Sequence, residues 1–374
     1  MKILIVSQDW DYRFARPQQL ARILSERHRV TYLSTGPGIR ERTLDSIRHV
    51  APWRPPSHRI NPNLQAFRAL YPRGHADAQG TRRDCRLNAG LVRTLFPRAF
   101  DRADIGITTN PLHYDTIANL KRKCLVYDCL DRYEGFFPEG SELRDFVLER
   151  EQLLMREADF VFVSARLLYR DKEKLRRVYY LPHGVPVEHF QAHTQPFPPE
   201  LQDARRPIIG FVGGIEHWVN IEWVEQAARE LRDATFVLVG DVHTDVQALA
   251  GLPNVRFLGY RNYDDVPRYV AACDVCIIPF RINDLTAGVN PIKVLEYMAL
   301  GKPVVASHMP ELEQYRPLVA LARTAEEFIA GIARADQTPD LGQARIEVAR
   351  QRSWRRVAES LLKVLTGAAD DTGF

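Results

Sequence analysis

Gly288-Val-Asn-Pro-Ile-Lys-Val-Leu-Glu-Tyr-Met-Ala-Leu-Gly-Lys302 is the stretch from which the fold can be worked out. Asn290 suits an N-cap, because its side-chain oxygen can accept from the unpaired amides of a first helical turn. Pro291 suits the next position, where a missing N–H costs nothing. Ile292, Leu295 and Ala299 recur at helical spacing and make one apolar face. Gly301 fits the position just past a helix, and Pro303 stops it before Val304-Val305-Ala306, which has the composition of a buried parallel strand. The pattern predicts a short helix that starts abruptly after a loop, with its free amides and positive dipole end turned to whatever lies ahead. Such an end favours phosphate. Lys293 and Glu296 share one side of it. A lysine for phosphate and a carboxylate one turn deeper for ribose hydroxyls would suit a nucleotide diphosphate. The same spacing also describes a solvated ion pair worth about 0.2–0.5 kcal/mol, and spacing does not separate the two.

The segments around this stretch alternate strand and helix. Ile208–Val212 reads as a strand ending at the turn Gly213-Gly214, followed by a helix over Ile221–Leu231 and a strand over Thr235–Val239. Val255–Leu258 then leads to the loop Gly259-Tyr260-Arg261, and a helix bearing Val266, Tyr269 and Val270 leads to a strand over Val275–Pro279. The first half repeats the theme. Strands are expected at Ile3–Val6, Val30–Leu33, Ile105–Thr108, Cys124–Tyr127, Phe160–Val163 and Val178–Leu181, with helices from Pro17, from about Ser141 to Ala158, and after a Ser164 cap. Strand–helix–strand order implies parallel pairing with right-handed crossovers. Residues 36–100 are the irregular part, with turn signals among arginines and the aromatic residues Trp53, Phe67 and Tyr71. The fold expected is α/β: two doubly wound parallel-sheet, Rossmann-like domains facing across a cleft, the default position for an active site. Residues 1–187 form the first domain, 188–206 a proline-bearing linker, 207–350 the second domain, and 351–374 a closing helix.

Composition narrows the class. The 374 residues are 45% hydrophobic and 26% charged, as in a soluble globular protein, and no apolar run is long enough to span a bilayer. The N-terminus enters a strand directly and lacks the pattern of a signal peptide, so a cytoplasmic location is expected. Five cysteines without framework spacing fit a reducing compartment. Cys273-Asp-Val-Cys276 has no second ligand pair and reads as packing within a strand rather than as a zinc site. Residues 1–190 hold 32 Lys and Arg against 23 Asp and Glu, and the remainder 19 against 24. A basic first half beside an acidic second half is the asymmetry expected when one domain faces an anionic surface, such as the inner face of a plasma membrane, or an anionic substrate, and a chance surface imbalance gives the same counts. No nucleic-acid module is present, and nucleic acid is not an expected partner.

Three weak features of the second half converge on a phosphate-bearing ligand: Gly213-Gly214, the helix start at Asn290–Lys293, and Gly259–Arg261. In open α/β sheets ligands bind at the carboxyl ends of strands. In the first half, the loop after the first strand offers Asp9, Asp11, Arg13 and Arg16 there, and Asp128 and Asp131 follow another strand. His113 and His183 are weaker candidates. No HExxH, GxSxG or Walker motif occurs.

The order Gly210-Phe-Val-Gly-Gly214, Asn254-Val-Arg-Phe-Leu-Gly259, Pro279-Phe-Arg281, Asn290-Pro-Ile-Lys-Val-Leu-Glu-Tyr297 and Gly301-Lys-Pro-Val-Val305 resembles the GT-B glycosyltransferases, specifically the bacterial group-1 family that builds surface polysaccharides. Arg16-Pro-Gln-Gln-Leu20, Tyr127-Asp-Cys-Leu-Asp131, Pro182-His-Gly-Val185 and Ser353-Trp354 extend the likeness more loosely. The resemblance implies transfer of a sugar from a nucleotide diphosphate, UDP first, to a saccharide or lipid-linked acceptor, with no cofactor and no metal. It places Gly213, Gly214, Tyr260, Arg261, Arg281, Asn290, Pro291, Ile292, Lys293 and Glu296 on the donor. Asp9, Arg13 and Arg16 are left for the acceptor. It also implies that the closing helix crosses back to the first domain. Retaining members carry a second glutamate eight positions before the one matched by Glu296, and here that position is Gly288. The departure points to inversion, which needs a base on the acceptor hydroxyl: Asp131 first, Asp128 second, unless Asp128 only orients a neighbouring loop. An epimerase of the same fold and a non-catalytic donor-binding subunit are the alternatives.

Overall fold

The computed structural model describes residues 1–8, 10, 15–34, 57–68, 78–192, 195–335 and 341–374. They form two units, one of Met1–Pro182 with Ala358–Phe374 and one of His183–Val357. Residues 188–206, expected as a linker, therefore belong to the second unit. A helix at Val187–Gln191 and a short 3-10 turn at Pro199–Leu201 place Phe190 and Leu201 in its core. Burial of these apolar side chains outweighs the proline content that suggested a tether.

The first unit is built on an eight-stranded sheet. Its strands are β1 (Lys2–Ser7), β2 (Arg29–Ser34), β3 (Ser57–Asn61), β4 (Leu64–Arg68), β5 (Ala103–Thr108), β6 (Arg122–Cys129), β7 (Phe160–Val163) and β8 (Tyr179–Tyr180). Their order is β3-β4-β2-β1-β5-β6-β7-β8, parallel except for the β3–β4 hairpin. The apolar run of β1 is buried on both faces, as helices covering a parallel sheet require. Ser141 caps the helix Glu142–Glu157, its hydroxyl accepting from the Arg144 amide at 3.3 Å.

Two sequence expectations fail in this unit. Where residues 36–100 are described, they are regular: the hairpin, then a helix over Ala78–Leu95. Phe67 is buried. Parallel pairing of β4 with β2 turns it inward, and it packs against Phe96 and Phe100 with centroids 4.9 and 5.0 Å away. Trp53 and Tyr71 lie outside the described residues. Ser164 does not cap the next helix, which spans Arg166–Lys172 after Ala165; its hydroxyl instead donates to the Leu130 carbonyl at 2.6 Å.

The second unit carries β9 (Ile208–Val212), β10 (Thr235–Val239), β11 (Val255–Gly259), β12 (Val275–Ile278), β13 (Val304–Ser307) and β14 (Val319–Ala322). The order β11-β10-β9-β12-β13-β14 is wholly parallel. Counted within the unit it runs 3-2-1-4-5-6, so the winding direction reverses between β9 and β12. Both cysteines of Cys273-Asp-Val-Cys276 are buried here, and a Cβ on Gly210 would lie 2.1 Å from the Cys273 sulfur. They are packing residues. Gly184 meets Trp354 closely, a Cβ falling 2.8 Å from the Trp354 amide nitrogen, and Val185 bridges Ser353. The last helix, Trp354–Leu365, starts in this unit, and from Ala358 onward the chain belongs to the first.

One buried ion pair fixes the first unit's polar interior. Arg16 and Asp128, each 1% exposed, form a two-pronged pair: Nε donates to Oδ2 at 2.8 Å and Nη2 to Oδ1 at 2.7 Å. The remaining Nη1 donates to the carbonyls of Leu181 (2.7 Å) and Pro182 (3.0 Å). Arg16→Met removes the cation and leaves Asp128 buried, so the first unit should lose about 3–5 kcal/mol in urea unfolding. Pairing it with Asp128→Leu should recover most of that loss.

Candidate functional site

The reversal between β9 and β12 gathers loops from several strands at one edge of the second sheet. β9 ends on Val212, whose amide donates to the Tyr297 hydroxyl at 3.0 Å. Tyr297 is fully buried in the helix Ile292–Ala299, so this bond ties that helix to the turn that follows β9. Gly213 sits there at φ +142. A Cβ on it would lie 2.2 and 2.3 Å from the Lys293 Cε and Nζ. Gly240, at φ +145 after β10, approaches equally closely, its Cβ falling 2.2 Å from the Gly213 carbonyl oxygen. Three chain segments thus meet where only glycine leaves room, with an ammonium group laid over the turn. The Lys293 amine also stands 5.5 Å from the Phe211 ring centroid, within cation–π reach.

The helix behind this turn starts one residue later than its sequence suggests. Pro291, with ψ 109, is the cap residue rather than the first helical one, and no side chain caps the end. Asn290 is not the N-cap; it is 2% exposed, tucked in ahead of the proline's extended backbone. The leading amides of Ile292 and Lys293 lack intrahelical acceptors, as at any helix start.

Glu296 is buried one turn deeper. The Tyr263 hydroxyl donates to its Oε1 at 3.0 Å. Burial lifts the Glu296 carboxyl above its ordinary range, against the pull of Lys293 and of the Tyr263 hydrogen bond. His189 stacks flat on Tyr263, with centroids 5.0 Å apart and planes at 4°, and its Nε2 lies 3.2 Å from the Tyr263 carbonyl oxygen. Sequence reasoning missed Tyr263 and His189. Neither lies in a motif, and His189 comes from the segment expected to be a linker.

Around the rim, Gly259 turns the chain at φ +67 and leaves Tyr260 49% exposed. Arg261 folds back, its Nε donating to the Tyr269 hydroxyl at 2.6 Å and Nη2 to Glu200 at 2.9 Å. Tyr260 is the most exposed side chain of this Gly259–Arg261 turn. The Arg281 guanidinium pairs with exposed Glu222 at 3.2 Å. Two other motif residues are structural: Asn254 donates to the carbonyls of Ala228, Leu231 and Ala234, and the Lys302 amine to those of Ala271 and Cys273.

In the first unit, Asp131 follows β6 on a loop held at three points. Ser164 binds the Leu130 carbonyl, the Cys129 thiol contacts the Asp131 carbonyl oxygen at 3.5 Å, and Arg132 pairs with Asp171. Beneath the loop, Glu151 accepts from Tyr127 at 2.8 Å and from Lys172 at 2.7 Å. Among the described residues the Asp131 carboxylate has no hydrogen-bond or ion-pair partner, and burial pushes it up to about 6. A carboxylate poised there can take a proton near neutrality. Asp128 cannot serve in the same way, because both its oxygens are engaged by Arg16. Arg16, expected to contact an acceptor, is likewise committed to the interior, so the loop-orienting alternative describes Asp128 better. His113 is 8% exposed and burial lowers it to about 4, which leaves it neutral. Asp9, Asp11 and Arg13 lie outside the described residues.

Two doubly wound units, the second with a glycine turn and a lysine-bearing helix start at its switch point, place the chain in the GT-B class of glycosyltransferase folds. Solved structures share that fold across nearly the whole chain. Sucrose-phosphate synthase of Thermosynechococcus elongatus superposes with a TM-score of 0.73 at 16% identity, covering 99% of this chain and 100% of the other. Anabaena Alr3699/HepE in complex with UDP superposes with a TM-score of 0.65 at 17% identity, covering 98% and 100%. Residues 206–336 match the family Glycosyl transferases group 1. TuaH of Bacillus subtilis (strain 168), assigned as a teichuronic acid biosynthesis glycosyltransferase, is 28% identical over 263 residues, which are 64% of this chain and 66% of TuaH.

The turn geometry gives a direct test. Gly213→Ala should strain the backbone and displace the Lys293 amine. The melting temperature should fall, and any rise produced by added pyrophosphate in the wild type should disappear. An unchanged pyrophosphate response would remove the Lys293–Gly213 contact from anion binding.

Proposed function

We propose that the protein transfers a sugar from a nucleotide diphosphate sugar, UDP-linked in the first instance, to a saccharide or lipid-linked saccharide during surface-polysaccharide synthesis. The observation that carries this is the Lys293 amine lying over the Gly213 turn, beside the open start of the Ile292–Ala299 helix. Two of the comparisons support it: a relative assigned to teichuronic acid synthesis and a structural neighbour solved with UDP.

In this mechanism the acceptor oxygen forms a bond to the sugar's anomeric carbon as the carbon–phosphate oxygen bond breaks. The electron pair leaves on the diphosphate. Lys293 and the amides at the helix start stabilise that charge, and no metal or cofactor is assigned a part. Glu296 holds ribose hydroxyls, and the Tyr260–Arg261 backbone holds the base. Asp131 takes the acceptor's proton, and the anomeric configuration inverts. The protein works at the cytoplasmic side of the membrane as a peripheral enzyme.

Asp131→Asn should lower kcat by about 10²–10⁴-fold while donor binding persists. Lys293→Ala should weaken donor binding as well as turnover. In the wild type kcat/KM should rise with pH through about 6, as Asp131 loses its proton. The same group contributes stability while protonated and loses that contribution as pH rises through about 6, so Asp131→Asn should melt higher than wild type at pH above this value. Near wild-type turnover in both variants would sink the assignment. Interconversion of free sugar nucleotide without an acceptor would point to an epimerase, and donor binding without turnover to a non-catalytic subunit.

A further inference from the structure

Few large apolar side chains are exposed among the described residues, and most of them are scattered singly. Three are not. Leu87, Leu91 and Leu95 are 54%, 41% and 54% exposed and recur every fourth residue along the helix Ala78–Leu95. Four-residue spacing puts them in one row, slightly oblique to the helix axis. The opposite side is anchored: Cys85, Ala89 and Val92 are in the core. The helix therefore uses one face for folding and presents a second apolar row to solvent.

Charge on the presented face has one sign. Arg83, Arg86 and Arg93 are exposed next to the leucine row, and Arg98 is exposed just beyond the helix end. The helix's one acidic residue, Asp84, is buried. Nearby acids are partly accounted for: Glu149 pairs with Arg82, and Asp115 lies 3.5 Å from Arg86 while also bound to buried Arg150. Gly90 lies on this face with nothing within 4 Å of a Cβ added to it. An apolar row bordered by arginines is the pattern of a helix lying in a lipid–water interface, with leucines among the acyl chains and guanidinium groups at anionic headgroups. Among the described residues no helix is long and apolar enough to cross a membrane.

We infer that the Leu87–Leu91–Leu95 row with its flanking arginines is a docking surface for an anionic lipid bilayer. The inference deepens the proposed function, since it assigns a surface to the peripheral membrane contact. Apolar and electrostatic contributions are separable. Leucine insertion resists salt, and arginine attraction weakens as the screening length shortens.

The test is flotation of the full chain with vesicles of phosphatidylcholine alone and of phosphatidylcholine mixed with phosphatidylglycerol. Wild type should bind the mixed vesicles and leave the neutral ones largely empty. Replacing Leu87, Leu91 and Leu95 together by serine should reduce binding by about tenfold or more. Replacing Arg83 and Arg93 by glutamine should reduce it at low salt and make little difference at high salt. UDP-induced thermal stabilisation, measured without vesicles, reports the donor site separately and should be equal in wild type and both variants. Wild type that stays with the soluble fraction, or a serine variant that floats as well as wild type, overturns the inference. So does a wild-type dimer that the serine variant turns into a monomer with no vesicle binding, since the row would then be a protein interface. Loss of the UDP response in wild type would instead count against the proposed function.

Discussion

The hydrogen bond from the Val212 amide to the Tyr297 hydroxyl is the contact on which the second unit's site depends. It joins the end of the first strand to a helix that follows the fourth strand of the unit, across the point where the sheet reverses its winding. With that bond in place, the Gly213 turn, Gly240 and the Lys293 side chain share a space that admits no Cβ. Glycine at φ above +140 is needed at both turns, because an L side chain there is strained as well as obstructed. The close approach lays the Lys293 amine over the turn, beside the start of the Ile292–Ala299 helix. Parallel topology supplies the position, and glycine and tyrosine supply the precision.

In the first unit a different constraint has the equivalent role. Burying Arg16 and Asp128 costs desolvation of two charges, and the cost is offset only because every nitrogen of the guanidinium has an acceptor. The pair fastens the start of the first helix to the end of β6 and to the chain at Leu181–Pro182. Asp131, three residues beyond Asp128, is left with no such partner. Burial raises both aspartates at the end of this strand; the bidentate Arg16 opposes the rise at Asp128, whereas Asp131 has no counter-ion and is raised to about 6. Neighbouring carboxylates held in contrasting environments are how one site separates structural from proton-transfer duties.

Much of this was legible in the sequence. The strands at Phe160–Val163, Ile208–Val212 and Thr235–Val239 and the helix Trp354–Leu365 fall where apolar runs and periodicity put them. Local signals sufficed there, because a strand buried on both faces needs little beyond hydrophobic β-branched and aromatic residues. Apart from local departures such as a helix capped at Pro291 rather than Asn290, the failures are tertiary. Ser164 looks like a cap in isolation, but its hydroxyl finds the Leu130 carbonyl from another strand's loop. Residues 188–206 look like a tether, but Phe190 and Leu201 find a core. Tyr263 gains importance only through Glu296 and His189, which are 33 and 74 positions away in the chain. Composition and spacing carry no trace of such pairings.

Gly288 bears on the stereochemistry that the proposed function assigns. It closes the four-residue helix Asp284–Ala287, which Asn283 and Thr286 cap reciprocally, and its φ of −88° with ψ near 0° is open to any residue. A glutamate could occupy that backbone without strain, so the glycine is not there to make a turn possible. What the position lacks is a carboxylate, and the lack is chemical rather than conformational. Glu296 meanwhile keeps its own supports, a tyrosine hydroxyl on one oxygen and Lys293 nearby, and needs no acidic neighbour to be held. On the proposed function, a site in which Glu296 faces the nucleotide and position 288 carries no carboxylate leaves the donor's anomeric carbon without a carboxylate from that loop. On the proposed function the acidic group for transfer then comes from the first unit. Among the described residues of that unit, Asp131, desolvated and without a counter-ion, has an environment suited to accepting the proton.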